Sequence, residues 1–297
     1  MRACWLAPHR PEWESWAWPL PTDFGAFAGD YTVAYPNPNA ETVMGAEAKD
    51  KWPSLRLVVT PSTGETHLDR EGLEGRGVAV LSLLDDREAL ENIRASSEFT
   101  FLLVLNALRR MDRALLSGGW ERSDDAVRGR ELHQKMVGLI GHGRIGKQMD
   151  AWLSAFGAGV YWNDPADKGC IFQAAVEWMF RNCHVVVVCC SLTAETRKMV
   201  TGNLVRLMRP GAILVNTARG EILDEDGVAA ALVSRPDLDL WTDVLSGEAT
   251  GEIATSPLLG LPNAHITPHM AGTTFESQEK AARIALSLSY RWLNGHP

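Results

Sequence analysis

Long apolar runs are missing from these 297 residues: the longest, Val185 to Cys190, is far too short to cross a bilayer. Pro8, Pro11 and two glutamates interrupt the first residues early, so they lack the apolar core of a secretory signal, and a cytoplasmic, soluble chain with no membrane partner is expected. Cysteine is sparse and oddly spaced. Cys4, Cys170, Cys183, Cys189 and Cys190 are five in number, with no CxxC pair and no Cys/His ligand spacing, which points to reduced thiols and to no metal site. Basic runs are also absent. With 29 Lys and Arg against 37 Asp and Glu the net charge is −8, and no phosphate-tracking surface or nucleic-acid partner is expected.

What is present is the composition of an ordinary globular protein, 45% hydrophobic and 22% charged, long enough for about two domains. Eleven tryptophans are the one excess; four fall within the first 18 residues, where core packing is a better reading than a ligand rim. Short β-branched runs alternate with helical spacing, the pattern of α/β layering. Strands are predicted at Leu55–Val59 and Val78–Ser82, and apolar spacing over Arg87–Leu116 predicts one or two long helices leading into a second domain. The alternation then becomes regular. Strands are expected at Met136–Ile140, Gly159–Asn163, Val185–Cys190, Ala212–Asn216, Leu238–Asp243 and Ala264–Thr267, with helices from Arg144, near Phe172–Phe180, from Asp224 and over Gly272–Leu293. Val-rich runs without polar alternation fit strands covered on both faces, hence a parallel, doubly wound sheet of Rossmann type.

Gly141-His-Gly-Arg-Ile-Gly146 follows the first of those strands and opens a helix. In that context Gly141 allows the tight turn, Gly143 lets backbone approach a pyrophosphate, and Gly146 packs helix on strand. Arg144 and Ile145 then start the helix, whose free N–H groups and positive dipole end suit phosphates. Asp164 closes the next strand, where a carboxylate accepts from ribose hydroxyls and repels a 2′-phosphate, favouring NAD over NADP. Its bland reading is a cap on the turn before Pro165; Lys168, close behind, could instead favour the extra phosphate.

Three further groups each follow a predicted strand: Arg219, Glu248 and His269. Ligands in open parallel sheets bind beyond the carboxyl ends of the strands, so such residues converge. Singly they read as readily as a solvated arginine, a surface glutamate and a structural histidine. Reduction of a 2-keto acid, the reaction implied by the family these segments resemble, needs a cation for the carboxylate, a proton donor for the carbonyl oxygen and a hydride source nearby. Guanidinium suits the first as a planar fork that keeps its charge; an imidazole held and made more basic by a carboxylate suits the second.

Together these segments resemble the D-2-hydroxyacid dehydrogenase family, D-isomer specific and NAD-binding, from about Leu55 to Gly295. Pro61-Ser-Thr-Gly-Glu-Thr-His-Leu-Asp69 is similar to its substrate loop, Leu207–Gly220 to its longest signature, and Ser256–His269 matches nearly throughout. The resemblance implies an enzyme that interconverts a D-2-hydroxy acid and its 2-keto acid with NAD. It also implies a homodimer whose subunit holds a Rossmann NAD domain (93–272) and a smaller, discontinuous, flavodoxin-like α/β substrate domain (1–92 and 273–297), with a cleft between them. Its implied site has Arg219 as carboxylate anchor and His269 with Glu248 as acid/base pair. By matching position, Asp243 contacts the nicotinamide carboxamide, Thr217 and Ala218 lie near its ribose, and Cys189 and Cys190 edge the adenosine pocket, though a plain buried-strand role suits the cysteines equally. Gly272 joins the coenzyme set, and Ser62, Thr63 and Gly64 the substrate set.

The match departs in places. Ala249 stands where the family commonly has proline after its catalytic glutamate, Ser191 replaces another proline, and the first fifty residues match poorly. Thr60 occupies a place where the phosphoglycerate-oxidising branch often has arginine, which counts against a phosphorylated substrate unless Arg10, Arg56 or Arg87 serves. His67, in the same loop, reads better as a structural side chain than as a second acid. The reading from another class is a non-catalytic NAD(H)-sensing protein on the same scaffold, which would have no need of a proton donor paired with a carboxylate anchor.

Overall fold

The computed structural model describes residues 2–7, 22–24, 29–38, 42–116, 120, 128–167 and 174–295. The chain forms two compact units. Met1–Ile93, Glu248–Gly251 and Thr273–Pro297 make one, and Arg94–Gly247 with Glu252–Gly272 the other. Among the described residues no helix is long and apolar enough to cross a membrane, and Cys4, Cys183, Cys189 and Cys190 are free thiols.

The first unit carries β1 (Ala3–Trp5), β2 (Thr22–Phe24), β3 (Val33–Tyr35), α1 (Glu47–Lys51), β4 (Leu57–Val59), α2 (Arg70–Gly75), β5 (Ala79–Leu81) and α3 (Arg87–Leu90). Its five strands pair in parallel in the order β2-β1-β3-β4-β5, the flavodoxin-like arrangement. β1 and β3 were invisible to pattern reading because three residues show no periodicity, yet every residue in them is buried. Trp5 is one of the core side chains, tilted against Tyr35 with ring centroids 4.9 Å apart; Trp13, Trp16 and Trp18 lie outside the described residues. The last helix, named α10 below, belongs here: Ala281, Ala282, Ile284, Ala285 and Leu288 enter the same core as Trp5, Val33 and Leu57.

The second unit begins with α4 (Ala95–Arg109) and α5 (Met111–Leu116). The apolar spacing across Arg87–Leu116 is therefore divided among three helices. Spacing reports a face and not an end; α4 stops because Arg110 adopts a left-handed conformation at φ 51°, a cap that no glycine announces. Then follow β6 (Met136–Ile140), α6 (Arg144–Ala155), β7 (Gly159–Asn163), α7 (Val176–Asn182), β8 (Val185–Val188), α8 (Gly202–Arg206), β9 (Ile213–Asn216), α9 (Glu225–Ser234), β10 (Asp239–Thr242) and β11 (Ala264–Ile266), with α10 (Phe275–Leu293) returning to the first unit. β6 and β7 match the strands read from sequence, whereas α7 starts later than Phe172, which with Lys168 and Cys170 lies outside the described residues. β8 ends at Val188, so Cys189 and Cys190 stand beyond the strand.

All six strands are parallel, in the order β11-β10-β9-β8-β6-β7. Val185 to Val188 are entirely buried, as expected of a strand with both faces covered. At the amino end of this sheet His184 Nδ1 accepts the Met136 N–H at 3.0 Å, which holds the ring neutral. Burial, then Arg209 and Lys135, lower its pKa. The unfolded chain therefore binds more protons at this site, and the stabilisation is whole above about pH 6.5 and is lost as pH falls through the folded-state value. The urea midpoint should drop between pH 7.5 and 5.5, and drop less in His184→Gln; equal drops in the two proteins would refute this role.

Candidate functional site

Within the second unit the carboxyl ends of β6 to β11 line one edge of the sheet. The strand order reverses where β6 lies between β7 and β8, and there the glycine turn sits. Gly141 has φ 98°, and a Cβ on it would lie 2.7 Å from the Cys190 backbone nitrogen, so neither conformation nor space admits a side chain. A Cβ on Gly146 would lie 2.3 Å from the Gly141 carbonyl oxygen, which packs the first turn of α6 onto the loop. Gly143 differs: a Cβ there would meet open space. It caps α6 without a side-chain bond, and the first turn, Arg144, Ile145 and Gly146, carries no acid. A closed turn beside an open glycine and an uncapped helix start fits a dinucleotide pyrophosphate.

Asp164 follows β7 directly. Its Oδ2 accepts the His142 N–H at 2.8 Å and its Oδ1 accepts the Ala166 N–H at 2.9 Å. It thus caps the turn beyond the strand and also ties that turn to the glycine loop. Cys189 and Cys190 come after β8; burial raises both thiols, Cys190 to about 11, with Asp164 adding to the rise. Both therefore stay protonated at neutral pH and act as small apolar groups.

After β9 the Asn216 side chain holds the loop from inside: its Oδ1 accepts the Ala218 N–H at 3.1 Å and its Nδ2 donates to the Arg219 carbonyl at 3.0 Å. Thr217 Oγ1 meets Thr100 Oγ1 at 2.6 Å, and Thr100 also bonds the Ser96 carbonyl, so the loop is fixed to α4. Arg219, partly buried, leaves this loop in extended conformation, one guanidinium nitrogen bonding the Ala218 carbonyl.

His269 lies three residues beyond β11 with φ 48°, a left-handed conformation uncommon for a residue with a side chain. Asp243, at the end of β10 and fully buried, holds it there. The Asp243 carbonyl accepts the His269 N–H at 2.9 Å, and its carboxylate accepts Thr267 Oγ1 at 2.6 Å, Met270 N–H at 2.9 Å and Ala271 N–H at 2.7 Å. The residue matched by position to a coenzyme contact thus spends its carboxylate on its own chain. Gly272 ends the segment beside Ser96.

One sheet edge therefore brings together Gly141, Gly143, Asp164, Cys189, Cys190, Thr217, Ala218, Arg219, Asp243 and His269. Glu248 groups with the other unit, where it opens the single 3-10 turn Glu248–Thr250. Buried Glu225 on α9 pins both flanks of that excursion, accepting from Ser246 N–H at 2.6 Å and Ser256 Oγ at 2.7 Å. Neither Glu225 nor Asn216 drew notice in the sequence, since the loops they brace are visible only once folded.

In the first unit Ser62, Thr63 and Gly64 follow β4. Ser62 Oγ donates to the Gly64 carbonyl at 2.5 Å, Thr60 Oγ1 lies 3.2 Å from Ser62 Oγ, and His67 Nε2 lies 2.9 Å from Thr60 Oγ1. The carbonyl at the end of this series can only accept, so each hydroxyl donates towards it and His67 Nε2 carries the hydrogen. His67 and Thr60 are buried, which makes the histidine a brace for the loop.

Comparison with known proteins bears on these features. Residues 100–271 match the D-isomer specific 2-hydroxyacid dehydrogenase NAD binding domain. A glyoxylate/hydroxypyruvate reductase of Arabidopsis thaliana is 27% identical over 248 residues, covering 82% of this chain and 75% of that protein. A D-3-phosphoglycerate dehydrogenase of Mycobacterium leprae is 31% identical over 249 residues, covering 81% of this chain but only 45% of its own length. Among solved structures the TT0316 protein of Thermus thermophilus superposes with a TM-score of 0.82 at 25% identity, covering 100% of this chain and 98% of that one.

Proposed function

The chain belongs to the D-isomer specific 2-hydroxyacid dehydrogenase family and carries its NAD binding domain, and from that premise we propose that it interconverts a D-2-hydroxy acid and its 2-keto acid. The observation that carries this reading is a guanidinium and an imidazole, Arg219 and His269, at strand ends on the sheet edge that bears the glycine turn. Arg219 holds the substrate carboxylate, where a planar fork both charges and orients the contact. His269 gives its proton to the carbonyl oxygen in reduction and takes the hydroxyl proton in oxidation, with Glu248 as the carboxylate that supports the charged ring. The nicotinamide coenzyme, when bound, supplies or accepts the hydride. The turn Gly141–Gly146 with Arg144 and Ile145 takes the pyrophosphate, Asp164 the ribose hydroxyls, and Cys189, Cys190, Thr217, Ala218 and Gly272 line the remainder. Asp243 serves chiefly by fixing the His269 backbone.

The first unit, Met1–Ile93 and Thr273–Pro297 together with Glu248–Gly251, is assigned to the substrate through the backbone of Ser62, Thr63 and Gly64. Support for an unphosphorylated acid comes from two cations there, with Arg10 outside the described residues and Arg87 exposed at the start of α3. Arg70 is committed to Glu65 at 2.7 Å and Glu74 at 2.8 Å, and Arg56 lies over the Trp292 ring. Glyoxylate and hydroxypyruvate, named for the Arabidopsis relative, are the first acids to try.

The test is NADH oxidation followed by absorbance against a panel of 2-keto acids; NADH binding without turnover on any of them would replace catalysis by coenzyme sensing. Arg219→Lys should raise KM by about a hundredfold, because an ammonium cannot reproduce the two-pronged contact. An unchanged KM would remove Arg219 from the substrate.

A further inference from the structure

The His142 ring has no part in the steps above. It occupies a position of the glycine turn where the dinucleotide requires only backbone, yet just 10% of the side chain is exposed. The ring lies flat on Trp162, centroids 4.1 Å apart and planes 11° from parallel. Nε2 is 3.2 Å from Asp150 Oδ2 on α6, and Nδ1 is 3.5 Å from Asp167 Oδ2 in the turn after β7. Nδ1 is buried and makes no hydrogen bond, one short movement from that carboxylate. Asp167 is joined to the rest of the turn: its carboxylate accepts Trp162 Nε1 at 3.2 Å and its N–H donates to the Asp164 carbonyl at 3.0 Å. The His142 N–H in turn binds the Asp164 carboxylate.

One residue therefore reaches the ribose acid twice, directly through its backbone and indirectly through its ring and Asp167. Among the described residues the charged groups facing the ring are Asp150 from α6 and Asp167 from the turn, with the Asp164 carboxylate bound to the backbone of the same residue. A neutral imidazole has one N–H and can donate to one of the two flanking acids only, whereas the imidazolium donates to both. A pyrophosphate arriving on the same turn adds further negative charge and favours the charged ring.

We propose that His142 is a positioning residue for coenzyme recognition: as the imidazolium it bridges Asp150 and Asp167, draws the Asp164–Asp167 turn onto the glycine turn, and makes dinucleotide binding take up a proton. The inference rests on assigning that turn and Asp164 to the coenzyme. By linkage, if binding favours the protonated ring, affinity is highest at low pH and falls as pH rises through the imidazole range. Cys190, beside Asp164 and with its thiol pushed up to about 11, stays protonated across that range and adds nothing to the slope.

The experiment titrates NADH into the full chain between pH 5.5 and 8.5, reading quenching of tryptophan fluorescence, in a His269→Gln background so that His269 does not titrate. The Kd should rise about fivefold or more across the range. His142→Phe, which keeps the stack on Trp162, and His142→Gln, which keeps a neutral hydrogen bond, should both be flat at the weak, high-pH value. Asp167→Asn should reduce the slope. In the reciprocal measurement, the His142 proton resonances should titrate at higher pH with NADH present than without. A His142→Phe protein with the parental slope, or a parent whose Kd ignores pH, overturns the proposal. Asp164→Ala separates the premise: if it leaves NADH binding unchanged the coenzyme assignment itself is at fault, and if it weakens binding while the His142 slope is absent, only the proton linkage fails.

Discussion

His269→Ala should lower turnover by about a thousandfold while NADH still binds. The size is that of a lost general acid, which typically contributes 10² to 10⁴ in rate. Binding survives because the truncation starts at Cβ: the left-handed backbone is held by Asp243 through main-chain and carboxylate contacts that do not involve the imidazole. Alanine at φ 48° carries some strain, which would appear as a small loss of stability and not of rate. Stopped-flow single turnovers beside an NADH titration distinguish the outcomes. Loss of rate with unchanged Kd places the proton transfer on His269, whereas near-parental single-turnover rates would assign it elsewhere and leave the imidazole a structural role.

Asp243→Ala should lower both stability and rate. The side chain is fully buried, and removing it leaves the Thr267 hydroxyl and the Met270 and Ala271 N–H groups without their acceptor. The buried Ala271 donor left unmade costs roughly 1–3 kcal/mol and the part-buried Thr267 and Met270 donors less, so a total of about 2–4 kcal/mol is expected once the loop relaxes. The loop that relaxes is the one that aims His269, so kcat should fall by at least about tenfold even at temperatures where the protein remains folded. Asp243→Asn sharpens the test, since its carbonyl oxygen keeps part of the acceptor set while its amide meets N–H groups that can only donate. It should lie between the two. A urea midpoint and kcat both at parental values in Asp243→Ala would dismiss the bracing role; a lower midpoint with parental kcat would make it structural alone.

The glycine turn, its flanking strands and Asp164 were legible because everything that defines them is close in the chain: a β-branched run, glycines at fixed offsets, then an acid at the next strand end. Parallel strands buried on both faces also announce themselves, as Val185–Val188 does. Of the first unit's three-residue strands, β4 and β5 lie inside the β-branched runs Leu55–Val59 and Val78–Ser82, whereas β1, β2 and β3 were not legible, and neither were the breaks that divide Arg87–Leu116 into three helices, since the left-handed Arg110 carries no residue signal.

Primary structure alone established which chemical groups are available and which strands share an order: a dinucleotide turn, a guanidinium and an imidazole, each after a strand. Folding settled what those groups are attached to. Thr100 meets Thr217 across 117 positions, Asp243 reaches residues 24 to 28 positions on, and His142 finds Asp150 and Asp167 on two different elements. Hydrogen bonds and ion pairs act over about 3 Å of space whatever the separation along the chain, and a spacing rule sees such a partner only when one helix or one turn brings it near.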